Sequence, residues 1–190
     1  MPDIISHAPD NPEFARVVEV RQLRDLETFA FDIAPTAGET PGLARLLGAQ
    51  AVRKLRFDGQ LTHLDSGGWQ LDGRLGATVI QTCVVTLDPV TTRIDQPVRR
   101  TFLPGLADRL AEIVLSAEDD DETEPLGERI DLGLVATEAL ALALPAYPRK
   151  PGATFAGETV AGEGVAPLDE SELKPFAALA ALRGKLGNES

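Results

Sequence analysis

The sequence has one cysteine, Cys83, and two histidines, His7 and His63. A single thiol excludes an internal disulfide, which agrees with a reducing compartment. One cysteine and two distant histidines do not make a zinc ligand set. No apolar run approaches the ~20 residues of a membrane span. The first residues, Met1-Pro2-Asp3-Ile4-Ile5-Ser6-His7-Ala8-Pro9, have no basic start and no apolar stretch of signal-peptide length, so a cytoplasmic protein is expected. Also missing are Gly-x-Ser-x-Gly, a Walker A sequence and a Gly-x-Gly-x-x-Gly opening a helix. No Ser-His-Asp order stands out. These absences leave the common enzyme classes without support. They imply no catalytic residue, no metal and no cofactor.

What is present is an ordinary globular composition of 190 residues, 43% of them hydrophobic, with an uneven charge of −12. Residues 1–39 carry a net −5, residues 40–109 a net +3 and residues 110–190 a net −10. Overall acidity argues against non-specific grip on nucleic acid, DNA included, because that grip comes from neutralising phosphates. The mildly basic middle third leaves room for a local basic surface.

Residues 14–20 and 28–33 read as strands. Phe29, Phe31 and Ile33 alternate with Thr28, Ala30 and Asp32. Thr40-Pro41 opens a short helix to about Leu47, with Gly48 after its end. In residues 54–63, Leu55, Phe57 and Leu61 alternate with Lys54, Arg56, Asp58, Gln60 and Thr62. Asp65-Ser66-Gly67-Gly68 is a turn, and alternation resumes through Trp69, Leu71, Leu75, Ala77 and Val79, which predicts a long hairpin. Gly73 and Gly76 permit a bulge or a bend, and Pro89 ends the strand. A third run, Thr91 to Leu103, puts Ile94, Val98 and Phe102 on one face, with Pro97 marking an edge or a bulge. Residues 117–128 are acidic; their like charges repel, which predicts a mobile loop. Asp131 is an N-cap for an apolar helix that Pro145 and Pro148 stop. The expected fold is α+β, an antiparallel bent sheet or partial β-barrel meander with a few packed helices and a mobile acidic loop. The expected organisation is a domain over 1–148, a linker over 149–172 and a C-terminal helix over 173–187.

Each candidate residue has a plain reading beside a functional one. Cys83 shares the apolar parity of its strand, so packing is favoured over reactivity. His63 has the same parity and reads as a partly buried histidine rather than a base. Lys54, Arg56, Arg74, Arg93 and Arg99 fall on the opposite parity and would share one solvated face. They form either a phosphate- or partner-binding face or a surface of mixed charge, since Asp58, Asp72 and Asp95 lie there too. The acidic run either solubilises or steers a basic partner. The last helix, with Phe176, Leu179, Leu182 and Leu186 at helical spacing, docks on its own domain or in a partner's groove.

Two stretches carry a resemblance when taken in order. One is Cys83-Val84-Val85-Thr86-Leu87-Asp88-Pro89, and the other is Leu142-Ala143-Leu144-Pro145-Ala146-Tyr147-Pro148-Arg149. Between and after them come Ile130-Asp131-Leu132-Gly133 and Pro175-Phe176-Ala177. The ordered set resembles the YceD family, proteins of large ribosomal RNA accumulation in bacteria and plant plastids. The resemblance implies a non-enzymatic factor in 23S-type ribosomal RNA accumulation, processing or ribosome assembly. Its expected partners are a large-subunit rRNA precursor or a basic ribosome-assembly protein, with no membrane. The alternatives are a protein-interaction adaptor without RNA contact, or a hydrolase of unrecognised type. Within the resemblance, Cys83, Leu87, Pro89, Asp131, Pro145, Tyr147, Pro148, Pro175 and Phe176 are motif residues, read as structural. Some branches of the family have extra cysteines near the C-terminus that suggest a metal site; this chain has none there, so no metal carries over.

Overall fold

Three long runs of alternating side chains dominate the chain, and they pair with one another. The structure, a computed structural model, describes residues 4–6, 13–105 and 123–154. Its strands are β1 (Ile5–Ser6), β2 (Val17–Glu19), β3 (Thr28–Ile33), β4 (Ala51–His63), β5 (Trp69–Thr82), β6 (Pro89–Leu103), β7 (Thr123–Pro125) and β8 (Arg129–Asp131). Its helices are α1 (Val20–Leu23), α2 (Thr40–Leu46) and α3 (Leu132–Ala143). One sheet has the order β3-β4-β5-β6-β7 and a second the order β1-β2-β8. Every pairing is antiparallel except β6 with β7. The fold is α+β, and the larger sheet does not close into a barrel.

The core lies on one face of the larger sheet. Leu55, Phe57 and Leu61 of β4 join Leu71, Leu75, Ala77 and Val79 of β5 and Ile94, Val98 and Phe102 of β6 there. Leu43 and Ala44 of α2, and Leu132, Val135, Ala136, Ala139 and Leu140 of α3, are buried in the same cluster. Side chains of this size each contribute roughly 1.5–3 kcal/mol when fully buried, so alternation alone accounts for much of the sheet.

One residue interrupts that alternation. Arg53 opposes Thr78 and Arg56 opposes Gly76, so Lys54 and Leu55 together face Ala77. This is a β-bulge, and Lys54 takes the left-handed backbone with φ 53. The extra residue switches the buried parity from Val52 to Leu55. The sequence pointed to Gly73 or Gly76 for such an irregularity, but the bulge sits on the partner strand. Gly73 instead faces Gly59, and a Cβ on Gly73 would come 2.6 Å from the Phe57 ring. The two glycines let the strands pass beneath Phe57 and Phe31, whose ring centres are 5.0 Å apart.

Several expectations shift in detail. The first strand run shortens to Val17–Glu19, because α1 begins at Val20. Pro89 opens β6 instead of closing β5, pairing with Thr82. Within the stretch 117–128 read as a loop, Thr123–Pro125 form β7 beside Thr101–Leu103. Glu124 there reaches the half-buried Arg100 at 3.2 Å, so this carboxylate has a partner where a run of like charges has none. The run 118–122 lies outside the described residues, as do the stretch 155–172 and the helix expected over 173–187.

The smaller sheet is fastened to α3 by Asp131 and Gly133. One carboxylate oxygen of Asp131 accepts from the amides of Gly133 (2.9 Å), Leu134 (3.2 Å) and Arg16 (2.9 Å). Three helix and strand donors are thereby satisfied by one cap. The Leu132 amide donates to the Arg16 carbonyl at 2.9 Å. The chain comes so close here that a Cβ on Gly133 would overlap the Phe14 carbonyl. Arg16 itself is buried, 4.7 Å over the Phe14 ring, and forks onto Glu39 with two 2.9 Å hydrogen bonds. Those bonds hold the Glu39 carboxyl down to about 2.

Gly133→Ala should therefore destabilise the domain by about 3 kcal/mol or more, since the obstacle is backbone and cannot rotate away. Gly76→Ala, with open space at its Cβ, serves as the control and should stay within about 0.5 kcal/mol. Denaturant titration of both decides it, and equal stabilities would show that the close approach is not real. Glu39→Gln should cost on the order of 3 kcal/mol at neutral pH, because it removes the counter-charge of a buried guanidinium whose other acceptors among the described residues are the neutral Ala15 and Ala34 carbonyls. A lowered carboxyl contributes stability above its ordinary value of 4.5 and loses it as pH falls towards about 2. The stability gap between wild type and Glu39→Gln should thus narrow across that window; a constant gap would refute the pairing.

Candidate functional site

The two motif stretches that stand 60 residues apart in sequence close on each other. After β5 the chain turns tightly: the Leu87 amide donates to the Cys83 carbonyl at 3.0 Å and the Cys83 amide to the Asp88 carbonyl at 2.8 Å. Leu87 takes φ 61 to make the turn. After α3, Leu144 is extended, as a residue before proline prefers. The chain then runs back across the turn. The Val84 amide donates to the Pro148 carbonyl at 2.9 Å, and the Gln81 amide group donates to the Pro145 carbonyl at 3.2 Å. Lys150 pairs with Asp88 at 3.0 Å. Arg149 and Lys150, read as the start of a linker, thus belong to a clasp that joins the end of β5 to the end of α3.

Cys83 lies at the centre of the clasp and is fully buried. Its surroundings are not apolar, which corrects the expectation drawn from parity. Its sulfur accepts from the amides of Thr86 (3.4 Å), Val85 (3.5 Å) and Lys150 (3.4 Å). The Thr86 side chain and these amides hold the thiol down to about 6. Pro148 is buried beside it, whereas Pro89 and Pro145 are exposed and set backbone direction. Leu87 and Tyr147 point outward, 74% and 77% exposed. Exposed Val84, Leu142 and Leu46 extend the same apolar character, and a shallow groove lined by Leu46, Gln81, Val84 and Pro148 lies among them. The Gln81 side-chain Oε1 has no hydrogen-bond partner among the described residues.

The second candidate is the solvent face of the larger sheet. The structure places all five expected cations on exposed positions of β4, β5 and β6. It does not make them one basic face. Arg56 forks onto Asp32 at 2.8 and 2.9 Å and lies 3.4 Å from Asp58. Arg74 meets Asp95 at 2.7 Å, and Arg99 meets Asp72 at 2.8 Å. Asp72 and Asp95 are both pushed below the usual carboxylate range, chiefly by the hydrogen bonds from Arg99 and Arg74. Lys54 and Arg93 form no ion pair among the described residues. Arg53 joins them. Sequence alternation assigned it no place on this face, and only the bulge turns it there.

The depression over the glycine pair, about 600 Å³, is walled by these locked carboxylates and guanidiniums. Asp72, held ionised by Arg99, is a poor proton donor in this depression. Burial and the Glu124 charge push Glu138 up; it stands on α3 and lines a separate groove with Glu124, Ile130 and Asp131. His63 is exposed, not partly buried, with its ring edge-on to Trp69 at 5.1 Å beside the hairpin turn. Among the described residues no three of His, Cys, Asp and Glu come together as a metal site, and no helix is long and apolar enough to cross a membrane. Pro175 and Phe176 lie outside the described residues.

The described residues thus form an α+β domain with an open, mostly antiparallel sheet, a clasp at one end of it and shallow surface depressions. Residues 71–183 match the family model described as large ribosomal RNA subunit accumulation protein YceD, and the chain belongs to that family. Comparison with curated proteins and with solved structures gave no match.

The Cys83 environment makes a pH prediction. A lowered thiol stabilises the fold above its ordinary value of 9.0 and loses that contribution as pH falls through about 6. The stability advantage of wild type over Cys83→Ala should therefore widen between pH 6 and 9. Labelling by a thiol reagent should be slow in the native protein and track unfolding in denaturant. Rapid native labelling, or an advantage that ignores pH, would contradict this account.

Proposed function

We propose that the protein is a non-enzymatic factor that promotes large-subunit ribosomal RNA accumulation, by holding precursor RNA or an assembly protein during processing. The supporting observation is the clasp. The family's motif stretches meet through backbone hydrogen bonds and hold Leu87 and Tyr147 out to solvent, while the Cys83 thiol beneath them is buried and the Asp88 carboxylate is tied up by Lys150. Such an arrangement fits a docking surface better than a reaction centre. The net charge of −12 favours a second reading, in which a basic assembly protein is the direct partner and RNA is reached through it.

Recovery of the tagged protein with and without ribonuclease separates the two, with bound RNA and protein both identified. Partners that vanish with ribonuclease point to RNA; partners that persist point to protein. In cells lacking the protein, large-subunit RNA should fall relative to small-subunit RNA. Leu87→Asn, which suits the left-handed backbone, and Tyr147→Ala should alter stability by no more than about 0.5 kcal/mol, because both side chains are exposed. The double variant should nevertheless recover less partner. Unchanged large-subunit RNA in the deletion, or full partner recovery by the double variant, would argue against the reading or against this surface respectively.

A further inference from the structure

The charges on the solvent face of the larger sheet separate by position along the strands. Towards the hairpin end, from Arg56, Gly76 and Asp95 onward, each guanidinium on the face has its carboxylate: Arg56 with Asp32, Arg74 with Asp95, Arg99 with Asp72. Towards the other end the strand segments are 50–54, 77–82 and 89–94. They contain Arg53, Lys54 and Arg93 and no Asp or Glu. Thr78 stands between Arg53 and Arg93 in register, so the Cα atoms of the two arginines lie two strand spacings apart, about 10 Å. All three cations are exposed, and none is in an ion pair among the described residues; Arg93 acts on Asp95 only through its charge, the Asp95 carboxylate being bonded to Arg74.

The bulge is what assembles this corner. In an unbroken strand, Arg53 and Arg56 would point to opposite faces. One added residue puts both on the solvent face, and the residue added is itself a lysine at φ 53. A non-glycine residue in that region is uncommon, and bulges often re-aim a side chain at a functional edge. The exposed Thr91 and the half-exposed Thr78 add hydroxyl donors between and beside the cations.

We infer that Arg53, Lys54 and Arg93 are the phosphate-contacting corner of the protein and that their ligand is the sugar-phosphate backbone of RNA. This rests on the proposed role in large-subunit RNA accumulation. Cations not bonded to a carboxylate can exchange their counterions for phosphate, whereas the paired arginines must first leave an aspartate. The corner is small, so affinity is modest and strongly salt-dependent. The remainder of the face, where Arg56, Arg74 and Arg99 stand against Asp32, Asp58, Asp72 and Asp95, and the acidity of the chain oppose general adhesion to nucleic acid.

The test measures binding of the full chain to a large-subunit rRNA fragment over a range of salt. Three proteins are compared: wild type, the corner variant Arg53→Gln/Lys54→Asn/Arg93→Gln, and a pair variant further along the strands, Arg99→Gln/Asp72→Asn, which removes a bridge without changing net charge. Asparagine tolerates the backbone of position 54. The corner variant should bind more weakly, with a log–log salt slope shallower by about 2 to 3 units, while the pair variant matches wild type. If the corner variant folds poorly, Arg93→Gln alone, on a regular stretch of β6, should flatten the slope by about 1 unit. Equal affinity and slope for wild type and corner variant would overturn the inference. So would a wild type that binds no RNA, or a corner variant that keeps RNA and loses a protein partner. The level of large-subunit RNA in cells tests the role separately. If the corner variant restores it fully, the corner fails and the role stands; if wild type itself does not affect it, the role fails.

Discussion

The approach of Gly133 to the Phe14 backbone is the contact on which the rest of the domain depends. It brings the first turn of α3 against the strand entering β2, close enough that no Cβ fits. The Asp131 carboxylate can then cap α3 and receive the Arg16 amide with the same oxygen. Arg16, fixed at that joint, reaches Glu39 at the start of α2. The smaller sheet, α2 and α3 are thereby set relative to one another through one short run of backbone. In that setting α2 and α3 close over the apolar face of the larger sheet. The Ile130-Asp131-Leu132-Gly133 run has a physical reason at three of its positions: Ile130 is buried, Asp131 caps, and Gly133 permits contact.

The solvent face of the larger sheet follows a different rule. Its ion pairs are exposed, and exposed pairs contribute at most about 1 kcal/mol each. Their chief effect is on the field at the surface. Cross-strand aspartates cancel most of the arginines, leaving a face that attracts little by itself. Positive potential survives at the end of the sheet that has no Asp or Glu on its strands, where the bulge brings Arg53 and Lys54 to the same end as Arg93. An average over the middle third, net +3, therefore says less than the register does.

Much of the larger sheet was legible because a half-buried strand states its burial at every second residue. The hairpin, the third strand, α2 and the Asp131 cap follow from alternation, turn chemistry and helix signals. What escaped depends on partners distant in sequence or on a change of phase. Alternation counted from Lys54 onward cannot show that Arg53 belongs with Arg56, since the bulge that joins them lies between the two. The parity of Cys83 correctly gave its burial. It could not give the Lys150 amide, which arrives from 67 residues away. Short β7 escaped because its acidic composition outweighs any strand pattern, and Arg100 is what makes pairing there favourable.

The clasp and the corner share one end of the larger sheet. β5 passes Thr78 between the two arginines and enters the Cys83 turn after Thr82. The clasp therefore fixes where the acid-free end of the sheet stops, and Lys150 neutralises Asp88, the nearest acid beyond that end in sequence. Without that pair a free carboxylate would stand one residue from the start of β6. The family match begins at residue 71 and so takes in Arg93 and the whole clasp, while Arg53 and Lys54 precede it. Arg93 is on a regular strand and needs only the pairing of β5 with β6. Arg53 needs an inserted residue as well. The corner is thus built from one cation placed by regular strand pairing and two placed by the bulge.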